Sequence, residues 1–510
     1  MTRHVVVIGG GPAGSAAAEA ALNRGARVTL IDSNESLGGQ YNRRIPAAFG
    51  VRRPLCVGHG YPAAERRAGW LVRHPRCEYL PWAAVYQLER RLDGGGPLVR
   101  LLQGIEGERR THHEIHGDAL ILATGAYDRV CPFPGWELPG VYTAGAAQTL
   151  AKTQRLLVGR SILISGTGPF LLPVAQSLAD AGARIRAVLE ANPAARILRH
   201  WTTRPWELRH SADKAAELAG YLTCGVRHRI RLRTSHAVIA VRGDGHVEEA
   251  TVARLDHDWT PIPGTQVTVP VDAVAVSHGF TPQTELVLAA GAELTVEGFV
   301  RVDRAQRTSA EFVWAAGEIT GIGGAQSAAV TGTVAGIAAA GGDPFEDRAL
   351  RARHHTARRF VARLAAAHPI RPGVLSWSTP DTIVCRCEGT TRAELSAAWS
   401  RTAGDAHRPT KLATRAGLGP CQGRVCAANI EALRVRLHPE SADPAPTSMP
   451  PGLTAATPAR RPFAAPIRLH ELAALGGAGA ADPGTETGRR PPSGHPGPAP
   501  AAARDREGNS

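Results

Sequence analysis

The first residues of the chain alternate between short apolar runs and a glycine-rich turn. Residues 4–8 form an apolar run of strand length, which stops at the glycines between residues 9 and 14. An Ala-rich helical pattern occupies residues 15–24, and a second apolar run, residues 27–31, ends on Asp32. Continuous apolar runs of this length are typical of strands buried on both faces of a parallel sheet. The pattern therefore predicts a βαβ unit at the start of the chain.

A comparable pattern recurs in the middle of the chain. Residues 160–165 predict a strand, a glycine turn and a helix follow through Ala181, and a strand over residues 184–189 ends on Glu190. The sequence therefore predicts a second nucleotide-type fold. Further strands are predicted at residues 84–92, 97–102, 119–123, 230–241, 246–254, 271–277 and 312–316, and helices at residues 325–340 and 348–367.

Length, charge and composition narrow the class of protein. At ~150 residues per domain, 510 residues predict about three or four domains. The formal net charge of +14 comes from scattered arginines, since only three of the 59 basic residues are lysines, and we therefore expect no nucleic-acid binding. No apolar run approaches the ~18 residues that span a bilayer. The strand pattern begins at once, so we expect no signal peptide and a cytoplasmic protein.

The first glycine motif carries candidate cofactor-binding residues. Gly9, Gly11 and Gly14 stand between a predicted strand and a predicted helix, with Pro12 and Ala13 inside the motif. This spacing permits a tight turn, close approach of a pyrophosphate and close helix packing. Asp32 follows 18 residues after Gly14, placed to accept hydrogen bonds from a ribose. The motif predicts a dinucleotide site.

The second motif is less complete. Gly166 and Gly168 keep the first two glycine positions, but Leu171 stands at the third, and Glu190 ends the following strand. One interpretation is an NAD(H) site in which Glu190 binds the ribose and disfavours a 2′-phosphate. The other is a retained fold that binds no nicotinamide, or binds another adenine nucleotide.

Three further segments resemble those of FAD enzymes with two dinucleotide-binding domains. They are Gly38-Gly39-Gln40, Ala123-Thr124-Gly125, and the segment that ends in Gly317 and Glu318 before a small-residue helix. The resemblance implies that Glu318 contacts the ribityl chain of FAD and that the helix from Ala325 faces the flavin ring. Aspartate is usual at the position of Glu318. The implied FAD-binding residues are Gly9, Gly11, Pro12, Ala13, Gly14, Asp32, Gly39, Gln40, Thr124, Gly125, Gly317, Glu318 and Ala325. No catalytic side chain is assigned, because a flavin itself carries the hydride.

Two cysteine pairs near the end of the chain form the strongest chemical motif. Cys385 and Cys387 are followed after 33 residues by Cys421 and then Cys426. Four thiolates suit either zinc or an iron–sulfur cluster, and free thiols remain a third possibility. The C-x-C spacing is unusual for zinc ribbons. The sequence around both pairs resembles the 2Fe-2S domain of bacterioferritin-associated ferredoxin, in the version fused to amine-oxidising flavoproteins, and this implies that all four cysteines are cluster ligands. The domains of this chain that would bind nucleotides contain no close cysteine pair, so we expect no thiol–disulfide catalysis.

The order of these parts resembles the A subunit of opine oxidases, the B subunit of hydrogen cyanide synthase and the alpha subunit of hydroxyproline and proline dehydrogenases. This implies an electron-transfer subunit with FAD and a 2Fe-2S cluster. A partner flavoprotein of the D-amino-acid-oxidase type would oxidise the amine or imino acid, and a small ferredoxin-like subunit could join the complex. Two alternatives stay open: a self-contained NAD(P)H-dependent reductase, and a non-catalytic binding subunit.

The predicted fold class is α/β, with an FAD-binding domain split by an NAD-type domain. The boundaries are 1–127 and 271–345 for the two parts of the FAD domain, 128–270 for the NAD-type domain, 346–379 for a helical connector and 380–437 for the 2Fe-2S domain. Residues 438–510 are rich in Pro, Ala and Gly and predict a mostly disordered tail, with a possible docking segment at 462–475.

Overall fold

The computed structural model describes residues 2–43, 45, 49, 61–89, 96–203, 212–401, 407–438 and 463–476. It divides into two units, residues 1–466 and residues 467–510. Most of the predicted tail, residues 439–462 and 477–510, lies outside the described residues. No helix among the described residues is long and apolar enough to cross a membrane.

The first segment of the larger unit builds a parallel sheet and an antiparallel meander. Its elements are β1 (His4–Ile8), α1 (Pro12–Asn23), β2 (Arg27–Ile31), α2 (Tyr61–Arg73), β3 (Cys77–Leu80), β4 (Ala83–Glu89), β5 (Leu98–Gln103), β6 (Thr111–Ile115), β7 (Ala119–Leu122) and β8 (Ala126–Asp128). β1 pairs with β2 and β7, and β2 pairs with β3, all in parallel. The predicted βαβ unit is present. The meander has a third strand, β6, which the sequence pattern did not predict.

The second segment repeats this architecture. It comprises β9 (Val141–Thr143), α3 (Ala144–Thr153), β10 (Ser161–Thr167), α4 (Leu171–Asp180), β11 (Arg184–Glu190), α5 (Ala194–Thr202), α6 (Ala212–Arg227), β12 (Leu232–Thr234), β13 (His236–Arg242), β14 (Glu249–Arg254), β15 (Val267–Pro270) and β16 (Ala273–His278). The strand order of the second parallel sheet is β12-β11-β10-β16-β9. Strands β13 to β15 form a separate antiparallel sheet.

The strand β16 corrects one predicted boundary. We placed residues 271–345 in the second part of the FAD domain, but β16 pairs in parallel with β10 and β9 and so belongs to the second sheet. The strand is fully buried, and a buried apolar strand fits either sheet equally well by pattern alone. The chain crosses back at β17 (Phe280–Pro282), which pairs antiparallel with β8.

The third segment completes the first sheet. After α7 (Glu285–Ala289), β18 (Val313–Ala315) adds to β7 at the edge of the sheet. A 3-10 turn, Gly317–Ile319, leads to α8 (Gly324–Ala339). Small residues let α8 lie against α1 backbone to backbone: a Cβ on Gly336 would stand 2.2 Å from the carbonyl oxygen of Ala17.

The remaining segment forms a connector and a small, mainly helical domain. It contains α9 (Arg348–Ala367), a 3-10 helix (Pro372–Ser376), β19 (Ile383–Cys385), β20 (Thr390–Thr391), α10 (Arg392–Arg401), α11 (His407–Thr414) and α12 (Ala427–Leu437). This small domain shares one hydrophobic core with the second sheet. The indole of Trp377 stacks on that of Trp259, with ring centroids 6.1 Å apart, and its Nε1 donates to the carbonyl of Trp259 at 2.8 Å. The cysteine domain is therefore packed firmly onto the second nucleotide domain.

The predicted docking segment falls on both units. In the larger unit, the backbone N–H of Ala464 donates to the carbonyl of Tyr86 at 2.7 Å, and the ring of Phe463 lies 6.0 Å from that of Tyr86. In the smaller unit, the described residues form α13 (Leu469–Gly476), whose first turn is capped by a hydrogen bond from the Arg468 N–H to Glu471. The predicted α/β class, with two Rossmann-like sheets and a small helical domain, is confirmed.

Candidate functional site

The first glycine loop combines tight packing with an open face. A Cβ on Gly9, whose φ is +105°, would stand 2.3 Å from the carbonyl oxygen of Ala123, and one on Gly14 would stand 1.7 Å from that of Gly9. A Cβ on Gly11 would meet only the Cα of Gly39, at 3.7 Å. The loop is therefore closed on its packing side and open in front of the N-terminus of α1, where a phosphate is stabilised by free backbone N–H groups.

Asp32 lies at the end of β2 and is 6% exposed. Its carboxylate accepts hydrogen bonds from the backbone N–H of Gly10 at 2.5 Å and from the backbone and side chain of Asn34 at 2.7 and 2.8 Å. These donors belong to the first glycine loop itself and to the turn that follows β2. The carboxylate is held at the rim of the loop, in the position that binds ribose hydroxyls in Rossmann folds.

A cavity of about 2430 Å³ runs from this loop towards the second sheet. It is far larger than the ~300–1,000 Å³ of a site for one drug-sized ligand. All of the predicted FAD-binding residues except Gly14 line it, and Gly168 and Glu190 line it as well, whereas Gly166 does not. The predicted residues in the lining are Gly9, Gly11, Pro12, Ala13, Asp32, Gly39, Gln40, Thr124, Gly125, Gly317, Glu318 and Ala325.

The turn before α8 brings Glu318 to this cavity. The backbone N–H of Gly317 donates to the hydroxyl of Thr331 at 3.0 Å, which fixes the turn against α8. Burial raises the pKa of Glu318, although a hydrogen bond from the backbone of Gly324 opposes the shift, and the charge of Asp128 raises it further. Glu318 is therefore a sheltered carboxyl group beside the start of α8, and not a solvated loop residue.

Three cavity residues were missed by the sequence analysis: Asp128, Arg129 and His278. They lie where β8 and β17 cross between the two sheets. Burial raises the pKa of Asp128, and burial together with the charge of Arg129 lowers the pKa of His278 to about 3. No motif could have identified them, because residues from distant parts of the chain meet there only in the folded protein.

The second glycine loop has the geometry of the first. A Cβ on Gly166 would stand 1.7 Å from the carbonyl oxygen of Ser277, so this glycine permits close approach to β16. A Cβ on Gly168 would meet nothing within 4 Å, which leaves the face of the loop open. The loop can therefore hold a phosphate, even though Leu171 replaces the third glycine.

Glu190, at the end of β11, is held by more groups than Asp32. One carboxylate oxygen accepts from the hydroxyl of Thr167 at 2.8 Å and from the backbone and side chain of Asn192 at 2.9 and 3.2 Å. The other accepts from the Gly168 backbone at 2.8 Å and lies 3.1 Å from Nδ1 of His368. Burial would raise the pKa of Glu190, but the hydrogen bonds and the charge of His368 lower it overall.

The structure brings all four predicted cluster cysteines together. Cys385 ends β19, Cys387 follows it, and Cys421 and Cys426 lie in the turn before α12. The thiol of Cys426 contacts those of Cys385 and Cys421, and Cys421 also contacts Cys387. Cys385 and Cys426 are buried, whereas Cys387 is exposed. The four sulfur atoms therefore form one group at the edge of the small domain.

Electrostatics within this group favour ligation. The hydrogen bond with Cys426 lowers the pKa of Cys385 to about 6 and also lowers that of Cys421, while it raises the pKa of Cys426. Backbone N–H groups, including that of Gly417, add to the shift at Cys385. Thiolates are the metal-ligating form of cysteine, and the pKa values of Cys385 and Cys421 are shifted towards it, whereas the pKa of Cys387, like that of Cys426, is raised.

The arrangement of the sulfur atoms bears on which metal fits. Among the described residues, one trio has ligand atoms mutually within 4.8 Å, namely Asp180, Cys224 and His228, where an Asp180–His228 ion pair of 3.3 Å accounts for the approach. Among the described residues, no three of the four quartet sulfur atoms lie mutually within 4.8 Å. By ligand type the quartet suits either one zinc ion or an iron–sulfur cluster.

The cysteine turn borders the large cavity. Cys421, Arg424 and Val425 line it on the side of α7. Arg424 Nε lies 2.6 Å from Oε1 of Glu285, and Arg424 Nη2 donates to the carbonyl of Ala464 at 2.7 Å. The isolated cysteines Cys77, Cys131 and Cys224 lie elsewhere, and Cys56 is outside the described residues.

Comparison with known proteins agrees with this geometry. A family model described as pyridine nucleotide-disulphide oxidoreductase matches residues 3–332. The A subunit of opine oxidase from Agrobacterium tumefaciens (strain Ach5) is 34% identical, over 84% of this chain and 85% of that protein. The hydrogen cyanide synthase subunit HcnB of Pseudomonas aeruginosa is 32% identical, over 84% of this chain and 91% of that protein. The predicted resemblance to these two kinds of protein is confirmed.

Among solved structures, L-proline dehydrogenase from P. horikoshii has the same fold. It superimposes with a TM-score of 0.58 at 18% sequence identity, over 89% of this chain and 78% of that chain. The similarity therefore extends beyond the two parallel sheets.

Proposed function

Because this chain belongs to the pyridine nucleotide-disulphide oxidoreductase family and is an FAD-dependent oxidoreductase, we propose that it is the electron-transfer subunit of a hetero-oligomeric amine or imino-acid dehydrogenase or oxidase. In this proposal it holds FAD in the first glycine loop and a 2Fe-2S cluster on Cys385, Cys387, Cys421 and Cys426. A bound flavin exchanges electrons in pairs or singly, which suits it to stand between a two-electron substrate and a one-electron cluster.

The first loop fits FAD by shape and charge. The open face in front of Gly11 and the N-terminus of α1 suit a pyrophosphate, and Asp32 suits the adenosine ribose. Glu318 and the start of α8 lie further along the same cavity, on the side where the resemblance puts the ribityl chain and the flavin ring.

The cysteine group fits a two-iron cluster by its ligands. It offers four sulfur donors gathered in one group, as a 2Fe-2S cluster requires. Arg386 and Arg424 lie beside the cysteines in the chain. Arg424 is already paired with Glu285, so Arg386 is the one of the two whose positive charge would offset part of the negative charge of a cluster. Arg386 is also fixed over the ring of Trp136, 5.2 Å from its centroid.

The observation that carries the proposal is the shared cavity. Among the described residues, Cys421 and Arg424 line the same cavity as Asp32 and Glu318, so the proposed cluster and FAD sites border one continuous space. In this arrangement the chain's own role is to hold both groups at a fixed separation. The shared core around Trp259 and Trp377 supports that role, because it restrains independent motion of the small domain.

The partners follow from the named relatives. The opine oxidase relative and HcnB are named as subunits, as is the alpha subunit of sarcosine oxidase from Corynebacterium sp. (strain P-1), which is 26% identical over 67% of this chain. We therefore propose a partner flavoprotein of the D-amino-acid-oxidase type that oxidises the amine. A small ferredoxin-like 2Fe-2S protein would be a third component of the complex. An acceptor such as a quinone would take the electrons.

A second candidate is a self-contained NAD(P)H-dependent reductase. The family and the open face of Gly168 favour nicotinamide binding in the second domain. Glu190 argues against a reductase, because its carboxylate already accepts a hydrogen bond from Thr167 and contacts His368. In the proposed function the second domain serves chiefly as the platform for the cysteine domain.

The test is the cofactor content of the anaerobically purified chain. We expect one FAD with about two iron and two sulfide per chain, no zinc, and slow flavin reduction by NADH. Cys421→Ser is expected to lose the iron and keep the FAD, whereas Cys77→Ser, a cysteine outside the quartet, is expected to keep both. Zinc without sulfide, or a chain without flavin, would contradict the proposal. Rapid bleaching of the flavin by NADH alone would favour the reductase.

A further inference from the structure

We propose that the end of the connector helix α9 competes with an adenine nucleotide for Glu190, and that His368 thereby sets the affinity of the second dinucleotide-binding site. This inference depends on the second domain being a nucleotide site, and it does not depend on the cluster. A chain without iron or sulfide would contradict the proposed function and leave this inference open to its own test.

The carboxylate of Glu190 is saturated with hydrogen-bond donors. A carboxylate has two oxygens with about four lone-pair sites. Glu190 is contacted by five donors, on Thr167, Gly168, Asn192 (two groups) and His368, at 2.8 to 3.2 Å. Oε1 accepts from Thr167 and from both groups of Asn192, and Oε2 takes Gly168 and His368, so both oxygens are filled. Withdrawal of His368 would open one acceptor site, on Oε2, for a ribose hydroxyl. Its side chain is 6% exposed and that of His368 is 9% exposed, so a ribose could not reach the carboxylate with the imidazole in place.

One of these donors comes from a distant part of the chain. Four of the five belong to the loops at the ends of β10 and β11, which are part of any such fold. The fifth, His368, stands 178 residues further along the chain, at the C-terminal cap of α9. Asp32 is the corresponding carboxylate of the first domain, and the three donors that it receives from the described residues all come from the loops beside it. Within the described part of the chain, the remote donor is thus a feature of the second site.

The connector around His368 is anchored by further contacts. The side chain of Asn192 donates to the carbonyl of Pro369 at 3.2 Å, and Arg196 donates to that of Ala366 at 3.1 Å. Further back on α9, the ring of Phe360 lies 5.5 Å from that of Trp201 on α5. Several contacts therefore hold this segment over the end of β11. One of them is the contact between the His368 imidazole and the carboxylate of Glu190.

Competition follows from these contacts. A nucleotide that binds Glu190 must displace His368, so its apparent dissociation constant is the intrinsic one divided by the fraction of molecules in which the imidazole has withdrawn. The connector leads directly into the 3-10 helix that precedes Trp377 and on to the cysteine domain. Nucleotide binding in the second domain is thereby linked to the position of the segment that precedes the cysteines.

The test uses the full chain and ADP-ribose, which has the adenosine ribose but cannot reduce a flavin. Calorimetric titration is expected to show that His368→Ala binds ADP-ribose about tenfold more tightly than the natural chain. His355→Ala changes an exposed histidine of the same helix and is expected to bind like the natural chain. Equal affinity of His368→Ala and the natural chain, or no binding by either, would overturn the inference.

A second measurement needs no variant. Amide hydrogen exchange of residues 363–371 in the natural chain is compared with and without saturating ADP-ribose. Withdrawal of His368 is expected to speed exchange in this segment, because the contacts that hold it to β11 and α5 are released. Slower or unchanged exchange on binding would show that the nucleotide does not compete with the connector.

Discussion

Arg424 and Glu285 form an ion pair of 2.6 Å between the cysteine turn and helix α7, on the wall of the proposed flavin cavity. Their side chains are 19% and 12% exposed, so water screens the pair only weakly. Arg424 belongs to the same turn as Cys421 and Cys426, and α7 follows the strand on which the chain returns towards the first sheet. The pair therefore fixes the cysteine turn to the FAD-binding part of the molecule.

We expect that removing one partner of this pair destabilises the protein. Arg424→Gln or Glu285→Gln should lower the free energy of unfolding by about 1.5–3 kcal/mol, because a charged hydrogen-bonding group loses its partner in a sheltered place. Urea unfolding at a fixed flavin saturation measures the loss. The control is Arg301→Gln, which breaks a 3.7 Å pair with Glu293 whose side chains are both more than 60% exposed, and which is expected to cost about 0.5 kcal/mol or less.

The double variant Arg424→Gln/Glu285→Gln completes the cycle. If the two residues act on each other, its loss should be smaller than the sum of the single losses. Additive losses would show that each residue stabilises the protein through other contacts.

Close packing of α8 on α1 leads to a second prediction. Gly336→Ala would put a Cβ 2.2 Å from the carbonyl oxygen of Ala17 and force the helices apart. We expect a loss of about 1–3 kcal/mol and weaker retention of FAD, since α1 carries the phosphate-binding loop. Gly220→Ala is the matched helical control, because its Cβ would meet nothing within 4 Å, and it is expected to be neutral or stabilising by up to ~1 kcal/mol. Equal behaviour of the two variants would contradict the packing argument.

The buried histidine at the end of β16 predicts a pH dependence. The pKa of His278 is lowered from 6.5 to about 3, so between these values the unfolded chain binds a proton that the folded chain does not. Stability therefore rises with pH across this window and falls on acidification below about pH 6.5, by up to ~1.4 kcal/mol per pH unit for this one group. His278→Gln should flatten the dependence of unfolding free energy between about pH 6.5 and 5. An unchanged slope in the variant would assign the acid sensitivity to other groups.

The tryptophan stack between the β14–β15 loop and the segment that leads into the cysteine domain gives a fourth prediction. Trp377→Phe keeps an aromatic ring beside Trp259 but removes the N–H that donates to the Trp259 carbonyl at 2.8 Å. We expect a loss of about 1–3 kcal/mol, because a buried carbonyl is left without its donor. Trp70→Phe, at a position 37% exposed, is expected to change stability by less than about 0.5 kcal/mol. A loss in Trp377→Phe no larger than in Trp70→Phe would show that this hydrogen bond contributes nothing.

Local patterns predicted the two glycine turns between a strand and a helix, because the requirements of such turns are local. Gly9, Gly11, Gly14 and Asp32 lie within one βαβ unit, and the spacing alone brings them together. Residues 348–367 were predicted as a helix and form α9. The strand β6, which is polar and half-exposed at the edge of the meander, lacked any periodic signal.

The sequence by itself determined the α/β class, the two glycine loops and the grouping of Cys385, Cys387, Cys421 and Cys426 in one small domain. It did so because apolar periodicity and glycine or cysteine spacing act over short stretches of chain. Only the tertiary structure decided which sheet receives β16, that Arg424 pairs with Glu285, and that His368 covers Glu190. These contacts join residues more than 100 positions apart, and they depend on how the surfaces of separate domains fit together.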